Sequence, residues 1–282
     1  MLAKAGHQTL AGRPAAALET YERIVKRFPR TEAAGRAQLA IGKLYSENRE
    51  YRNAFDAFQA LIDHFPYSDC FAPALRGQLT VVERTLAKHK ENERKGIKQS
   101  KKVLPKRSTI EEMLKTIIAN GPYSEFSPRA RYLLAVSLET SGDRAGAIEH
   151  HEILLDRHPK HDLADDATFQ VALIHLKSNE VPVKDTNHWT ESRTALLHLL
   201  TNYPDSDRAP IARRLLKKIE KDETTYLLKV ARFYEKSRKP ASALIYYQEL
   251  ARSYPDSPER QAILDGVARM AELVSSAASP RD

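Results

Sequence analysis

Hydrophobic residues recur at helical spacing along the chain, in blocks that each end at a proline. Counting back from the proline, apolar residues stand at positions −12, −8, −5, −4 and −1. In the block that ends at Pro66 these positions hold Ala54, Phe58, Leu61, Ile62 and Phe65. Such offsets place the side chains on one face of an α-helix, and the alanine at −12 favours a close approach of a second helix.

The residues around each proline form a second pattern, in which an aromatic-like residue, Pro, any residue, a small polar residue and an acid follow one another. The pattern occurs, with small departures, at Pro29, Pro66, Pro122, Pro159, Pro204 and Pro255. Proline ends the preceding helix because it lacks an N–H and clashes with the turn before it. We expect the Ser or Thr two residues later to cap the next helix, and the acid to lie in its first turn.

After each proline, a small residue followed three positions later by a large one marks the first helix of a pair. These slots hold Gly42 and Tyr45, Ala135 and Leu138, Ala172 and His175, and Ala231 and Tyr234. This alternation is the packing pattern of the tetratricopeptide repeat. The prediction is an all-α, right-handed tetratricopeptide-like superhelix of about six helix pairs plus a C-terminal capping helix over residues 259–274.

Some repeats are longer than the others, which indicates insertions. Pro29 and Pro66 are 37 residues apart, whereas Pro66 and Pro122 are 56 apart. We predict N-terminal pairs over 1–122, with a basic insertion at about 88–107. C-terminal pairs follow over 123–276, with a loop at about 179–188 and a long helix extension at about 206–237. A frayed tail covers 277–282.

The composition suits a soluble helical protein, with 41% hydrophobic residues, 29% charged residues and 10 glycines in 282. The net charge of +8 favours acidic partners without singling out nucleic acid. The basic insertion could bind an anionic ligand, but it has no aromatic residues for base stacking. A solvated loop is the favoured interpretation, and we expect no nucleic acid as a partner.

Histidines are the best candidates for a metal site, but the repeat explains them. His150, His151, His158 and His161 lie near Asp162, Asp165 and Asp166. His151 and His158 occupy slots that are aromatic in other repeats, and His161 stands where Ser or Thr recurs. The spacing matches no metal-ligand pattern, so we expect neither a metal nor another cofactor.

Two further residues are explained better by packing than by chemistry. Cys70 stands at a predicted helix N-terminus, where a thiol can become reactive, but nothing around it resembles a thiol enzyme. Trp189 begins the second helix of the fifth pair, where it would cover the gap left by the insertion. The chain has no phosphate-binding glycine loop, nucleophile elbow or HExxH motif, so we expect no enzyme activity.

The last third of the chain resembles a specific family. The run from Ile211 to Glu220 precedes Val230 to Lys236, then Ala243 to Gln248 and Tyr254 to Pro258. These segments, together with Tyr51 to Asp69, resemble BamD, the lipoprotein of the outer-membrane β-barrel assembly machinery. The resemblance implies a non-enzymatic scaffold at the periplasmic face of the outer membrane. It also implies that the scaffold binds the barrel-inserting BamA subunit and unfolded barrel precursors.

Two expectations accompany this resemblance. The residues after Met1 contain no signal core or acylatable cysteine, so a lipid anchor would be one not present in this chain. A peptide-binding adaptor or an organiser of the cell envelope of the Tol–Pal-associated type is the alternative function.

The repeat register predicts a binding groove along the first helices of the pairs. The inward, exposed positions are Arg36, Lys43, Arg76, Arg129, Tyr132 and Arg232. Several arginines and an aromatic residue suit a peptide that bears carboxylates or aromatic side chains. In the alternative interpretation some of these cations pair with glutamates of neighbouring repeats, such as Glu83 or Glu235.

Overall fold

The computed structural model describes residues 1–97, 104–177 and 187–278. Within these residues the chain forms thirteen α-helices and no strand. They are α1 Leu2–Leu10, α2 Pro14–Arg27, α3 Glu32–Glu47, α4 Tyr51–His64, α5 Phe71–Arg94, α6 Arg107–Asn120, α7 Ser127–Ser141, α8 Arg144–Arg157, α9 Ala164–Lys177, α10 Asn187–Asn202, α11 Ala209–Lys236, α12 Pro240–Ser253 and α13 Arg260–Ala278. The thirteen are six pairs and a final helix, so the predicted tetratricopeptide-like array is confirmed.

The chain divides into two compact units, residues 1–167 and 168–282. In the first unit α1 to α4 share a cluster that includes Tyr21, Ile24, Ile41 and Leu44. In the second unit α11 contributes to two clusters. Its first half packs with α9 and α10 through Ala212 and Ile219, among others, and its second half packs with α12 and α13 through Leu228 and Ala231, among others.

The sequence predicts a division of the helix pairs into an N-terminal and a C-terminal group at 122/123, and this division stays a prediction. The basic insertion corresponds to a long α5 that ends at Arg94, a turn through Gly96, and the start of α6 at Arg107. The predicted loop at 179–188 lies almost wholly outside the described residues, which resume at Asn187. The extension at 206–237 lies in a single helix of 28 residues.

The helices that precede the prolines end in one common geometry. Phe28, Phe65 and Tyr254 have φ near −130° and ψ between 51° and 62°, outside the helical region. A following proline disfavours the helical conformation of the residue before it, so the helix ends there. Each of the three N–H groups still donates to the carbonyl four residues earlier.

Most of the predicted helix caps are wrong. Only Thr31 acts as expected: its hydroxyl accepts from the Ala34 N–H at 3.3 Å, and Glu32 lies in the first turn of α3. After each of the other prolines the chain makes one more turn before the next helix begins. That helix therefore starts about two residues further from its proline than α3 does from Pro29. Ser68 therefore accepts from the Cys70 N–H at 3.1 Å, ahead of α5, and the acids beside these serines precede the helices.

A Thr31→Ala substitution is expected to lower the free energy of unfolding by about 1 kcal/mol, because it leaves the Ala34 N–H without its cap. Urea denaturation of the full chain measures the change. Thr116 is the matched control, since its hydroxyl donates to the Glu112 carbonyl inside a helix and is exposed. An equal loss in Thr116→Ala would contradict the capping role.

Side-chain amides, one buried and two partly buried, link three helices of the first unit. Gln78, fully buried in α5, donates to the Gln59 side-chain oxygen of α4 at 2.8 Å. Asn120, at the end of α6, donates to the same oxygen at 2.8 Å. Buried polar groups that satisfy one another fix the relative position of the helices that carry them. The network holds α5, which carries candidate binding residues, against its neighbours.

Candidate functional site

Two of the predicted groove residues line one small cavity in the first unit. Lys43 of α3 and Arg76 of α5 border a volume of about 210 Å³. The other lining residues are Ser46, Glu47, Phe58, Pro73, Gly77, Thr80 and Arg84. The structure therefore brings together the first helices of the second and third pairs, as a groove along first helices requires.

The apolar side of this cavity is the ring of Phe58, which lies between two glycines. A Cβ atom at Gly42 would stand 2.4 Å from the Phe58 Cε1 atom, and one at Gly77 would stand 2.5 Å from its Cζ atom. Neither distance is possible for real atoms, so both glycines are needed for this ring position. Phe58 is the aromatic residue of the repeat pattern, and it packs between the first helices of two successive pairs.

The cavity carries an excess of positive charge. Arg84 donates to the Ser46 hydroxyl at 3.0 Å and has no carboxylate within ion-pair distance in the described part of the chain. Lys43 likewise has no ion pair there. Arg76 lies 3.4 Å from Glu125, in an exposed pair, and its guanidinium lies over the Phe126 ring at 5.5 Å. With Glu47 as the only lining acid among these residues, the cavity suits an anionic group.

Other predicted groove residues are engaged within the protein. Arg129 of α7 donates to Glu83 of α5 at 2.8 Å, so the alternative interpretation describes this residue. Arg36 pairs with Glu32 one turn earlier in its own helix. Exposed pairs of this kind contribute about 0–1 kcal/mol, so a ligand carboxylate can replace them at small cost.

Tyr132 and Arg232 complete the predicted set. Tyr132 is partly buried, with its ring edge-to-face on His151 at 5.4 Å between centroids. Arg232 is exposed on α11 of the second unit. The expected partner Glu235 instead accepts from Tyr247 at 2.6 Å and pairs with Arg269 at 3.1 Å. These hydrogen bonds hold the pKa of Glu235 below its usual range.

Sequence reasoning missed Arg84, Thr80 and Glu47 as cavity residues. All three lie on the first helices, as the predicted residues do, but the repeat pattern does not mark them. Gly42 and Gly77 were the available signal, because two helical glycines that face one aromatic residue show where the helices approach most closely.

The histidines have positions that the repeat accounts for. His151 is fully buried, neither ring nitrogen has a hydrogen-bond partner, and burial with the nearby His150 lowers its pKa to about 4. His161 accepts from the Leu163 N–H at 3.1 Å through Nδ1, as the serines do in other turns. In the parts of the chain that the structure describes, no three His, Cys, Asp or Glu side chains are placed to hold a metal ion.

The remaining candidates are also placed by packing. Cys70, the residue that immediately precedes α5, is buried. Trp189 packs edge-to-face on Tyr226 at 5.7 Å, against the cluster around Ile219. In the basic insertion Lys88 and Lys95 pair with Glu91, and Arg107 pairs with Glu93, while Lys98, Lys101 and Lys102 lie outside the described residues.

Two family models match the chain. A tetratricopeptide-repeat model matches residues 11–69. The YfiO model, described as an outer membrane lipoprotein, matches residues 99–276, which is more than half of the chain. The chain belongs to the YfiO family. This is the BamD lipoprotein family, so the resemblance seen in the sequence is confirmed.

Several solved structures resemble this YfiO protein at low sequence identity. MamA is 13% identical with a TM-score of 0.42, and covers 71% of this chain and 95% of its own. A tetratricopeptide protein of Thermus thermophilus is 16% identical with a TM-score of 0.37, and covers 77% and 96%. PilF of Pseudomonas aeruginosa is 14% identical with a TM-score of 0.37, and covers 94% and 95%. No curated protein matches the chain. With scores this low, the fold assignment rests on the helix pairs and the family models.

Family and fold together make this YfiO protein a protein-binding tetratricopeptide scaffold. Both families are typically non-enzymatic, and the YfiO family is associated with the outer membrane. Within the described residues, no helix combines the length and the apolar character that a membrane span needs.

Proposed function

We propose that this protein is a BamD-like component of the machinery that assembles β-barrel proteins in the outer membrane. It binds a BamA-like barrel-inserting subunit and segments of unfolded barrel proteins at the periplasmic face of that membrane. A lipid anchor holds it there, as the description of its family as an outer membrane lipoprotein suggests. The family match over residues 99–276 is the observation that carries the proposal. The scaffold contributes recognition and performs no chemical step.

The proposal is tested by affinity purification of the full-length protein from envelope extract in mild detergent. Co-purification of a BamA homologue supports it. Recovery of Tol–Pal components without a BamA homologue would overturn the assignment and favour the envelope organiser. If the protein binds peptides but neither a BamA homologue nor Tol–Pal components co-purify, the remaining interpretation is a general peptide-binding adaptor.

We place the peptide site on the first helices of the first unit, around Lys43, Arg76 and Arg84. An extended segment lies along these helices and directs a carboxylate to Lys43 and Arg84, which have no ion pair within the described residues, while Arg76 can exchange its exposed pair with Glu125. Arg36, Arg129 and Tyr132 extend the same surface along α3 and α7. Arg129 exchanges Glu83 for a ligand carboxylate at little cost, because both side chains of that pair are partly exposed.

Reversing two charges in the cavity is expected to weaken peptide binding. The variant Lys43→Glu with Arg84→Glu should lower the affinity for an acidic, aromatic ten-residue peptide at least about tenfold, because repulsion replaces attraction. Fluorescence anisotropy measures the change. The control, Lys26→Glu with Arg30→Glu, makes the same net charge change at exposed positions elsewhere in the unit. If both variants lose affinity equally, the cavity is not the site.

A further inference from the structure

One face of α11 carries a row of basic residues that the proposed peptide site does not use. Successive positions of the row are three or four residues apart, which keeps it on one side of a helix. Its cations are Arg214, Lys218, Lys221, Lys229, Arg232 and Lys236, with Thr225 in the middle position. We call these residues the α11 stripe. At about 1.5 Å per residue the stripe is about 33 Å long.

The stripe is exposed and almost unpaired. All seven of its residues are exposed. Within the described residues, its ion pair is Lys218 with Asp222, at 3.6 Å between two exposed side chains. The five further cations have no carboxylate within ion-pair distance there, although Arg232 lies near enough to Glu235 to help lower the pKa of that carboxyl. Such a row is electrostatically costly unless solvent or an anionic partner neutralises it.

The stripe is continuous because α11 is a single helix of 28 residues. Ala212 and Ile219 hold its first half in one hydrophobic cluster, and Leu228 and Ala231 hold its second half in another. A helix of ordinary repeat length would end after about four turns and divide the row. The helix extension therefore keeps the row of cations continuous, in addition to joining the two hydrophobic clusters.

An exposed aromatic residue lies beside the C-terminal end of the stripe. Phe233 is 64% exposed, which is uncommon for a phenylalanine away from an interface. It borders a cavity of about 500 Å³ with Thr225, Leu228, Lys229, Arg232 and Lys236. Glu259 is the acid at this cavity. A solvated row of lysines does not account for an exposed phenylalanine and an apolar recess beside it.

We propose that the α11 stripe is a second docking surface, and that its occupant is an acidic segment of a partner protein. Carboxylates of the segment pair with the row of cations, and one apolar side chain packs against Phe233 and Leu228 in the cavity. Charge complementarity supplies the association rate and the register, and the apolar contact supplies most of the affinity. This surface shares no residue with the peptide site of the first unit.

The geometry favours a protein over other anionic partners. A helix that lies in a membrane surface needs a free apolar face, but most apolar residues of α11 pack into its two clusters, and Phe233 does not make such a face by itself. Single-stranded nucleic acid is usually bound by several stacked aromatic residues, whereas this stripe has Phe233 at one end.

The test uses the full chain and a fluorescein-labelled, 20-residue glutamate-rich peptide that contains one leucine. Three variants are compared by anisotropy at low and at physiological salt. The first is Lys229→Glu, Arg232→Glu and Lys236→Glu together, and the second is Phe233→Ala. The third is the control Lys26→Glu, Arg27→Glu and Arg30→Glu, which changes the net charge equally but lies on the first unit. Circular dichroism confirms the fold of each variant.

The stripe variant should bind at least about tenfold more weakly, and the control within about twofold of the parent. Phe233→Ala should lose affinity while keeping the parent's salt dependence, because it removes an apolar contact and no charge. Equal losses in the stripe and control variants would overturn the proposal, as would no change in Phe233→Ala. Tighter binding of the parent to anionic vesicles or single-stranded DNA than to the peptide would also overturn it. Co-purification of a BamA homologue reports separately on the proposed function.

Discussion

Truncation of Phe58 to alanine is expected to lower the free energy of unfolding by about 3–5 kcal/mol. The ring is 1% exposed and packs between α3 and α5, so its removal leaves a cavity that the two helices cannot both close. This is a large fraction of the stability of an ordinary domain. Urea denaturation of the full chain, followed by circular dichroism, measures the loss.

The two glycines beside this ring make the prediction specific. Gly42→Ala and Gly77→Ala should each lower the free energy of unfolding by about 1–3 kcal/mol, because the new Cβ would overlap the Phe58 ring. In the Phe58→Ala background the same substitutions should become neutral or stabilising, since space is then available and alanine favours a helix over glycine by about 0.5–1 kcal/mol.

Gly6 provides the control for this sign reversal. It lies within α1, and a Cβ there would meet nothing within 4 Å. Gly6→Ala should therefore stabilise the protein whether or not Phe58 is present. Independent, additive effects of the Gly42 and Phe58 substitutions would show that the ring does not occupy the space between the helices.

The helix pairs could be predicted from the sequence because their signals are local. A proline acts on the residue before it, as the φ of −134° at Phe65 shows, and the spacing of Ala54 and Phe58 needs only one helix to be read. The helix caps failed for a local reason as well. After Pro66 the chain makes a further turn, in which Ser68 bonds the Cys70 N–H, and composition alone does not distinguish that turn from a cap such as Thr31.

The candidate site was predicted in part, because its contacts depend on residues far apart in the chain. Lys43 and Arg76 were found by counting along first helices. The neutralisation of Arg129 by Glu83 depends on the relative position of α5 and α7, 46 residues apart in sequence. Arg84 was missed since its role in the cavity follows from its bond to Ser46, 38 residues away. The position of a residue within the repeat specifies the helix face on which it lies, but it does not specify which residue of another helix it contacts.

The repeat position eight residues before each proline, which Phe58 occupies in its pair, also makes the stability of the protein depend on pH. Tyr21, Phe58 and Tyr247 occupy it in three pairs, Leu114 and Leu196 in two others, and His151 in the fourth pair. All six side chains are buried. His151 is the exception in chemistry, because it is the slot residue here that can gain a positive charge within the pH range of living cells.

Acidification is therefore expected to destabilise the protein through His151. Its pKa is about 4 in the folded protein, lowered by burial and by His150, and near 6.5 when unfolded. The unfolded chain binds the extra proton first as pH falls, so stability is complete above pH 6.5 and is lost progressively down to pH 4. Between pH 7 and pH 5 the loss from this residue is about 2 kcal/mol.

The variant His151→Leu isolates this effect, because leucine already occupies the same slot in two other pairs. It should remove about 2 kcal/mol of the change in unfolding free energy between pH 7 and pH 5, measured by urea denaturation at each pH. His64→Gln, at an exposed position on α4, is the matched control and should retain the full pH dependence. An unchanged slope in His151→Leu would mean that the ring is protonated in the folded state. In that case His151 would need an anionic or hydrogen-bonding partner, which its unpaired ring nitrogens lack.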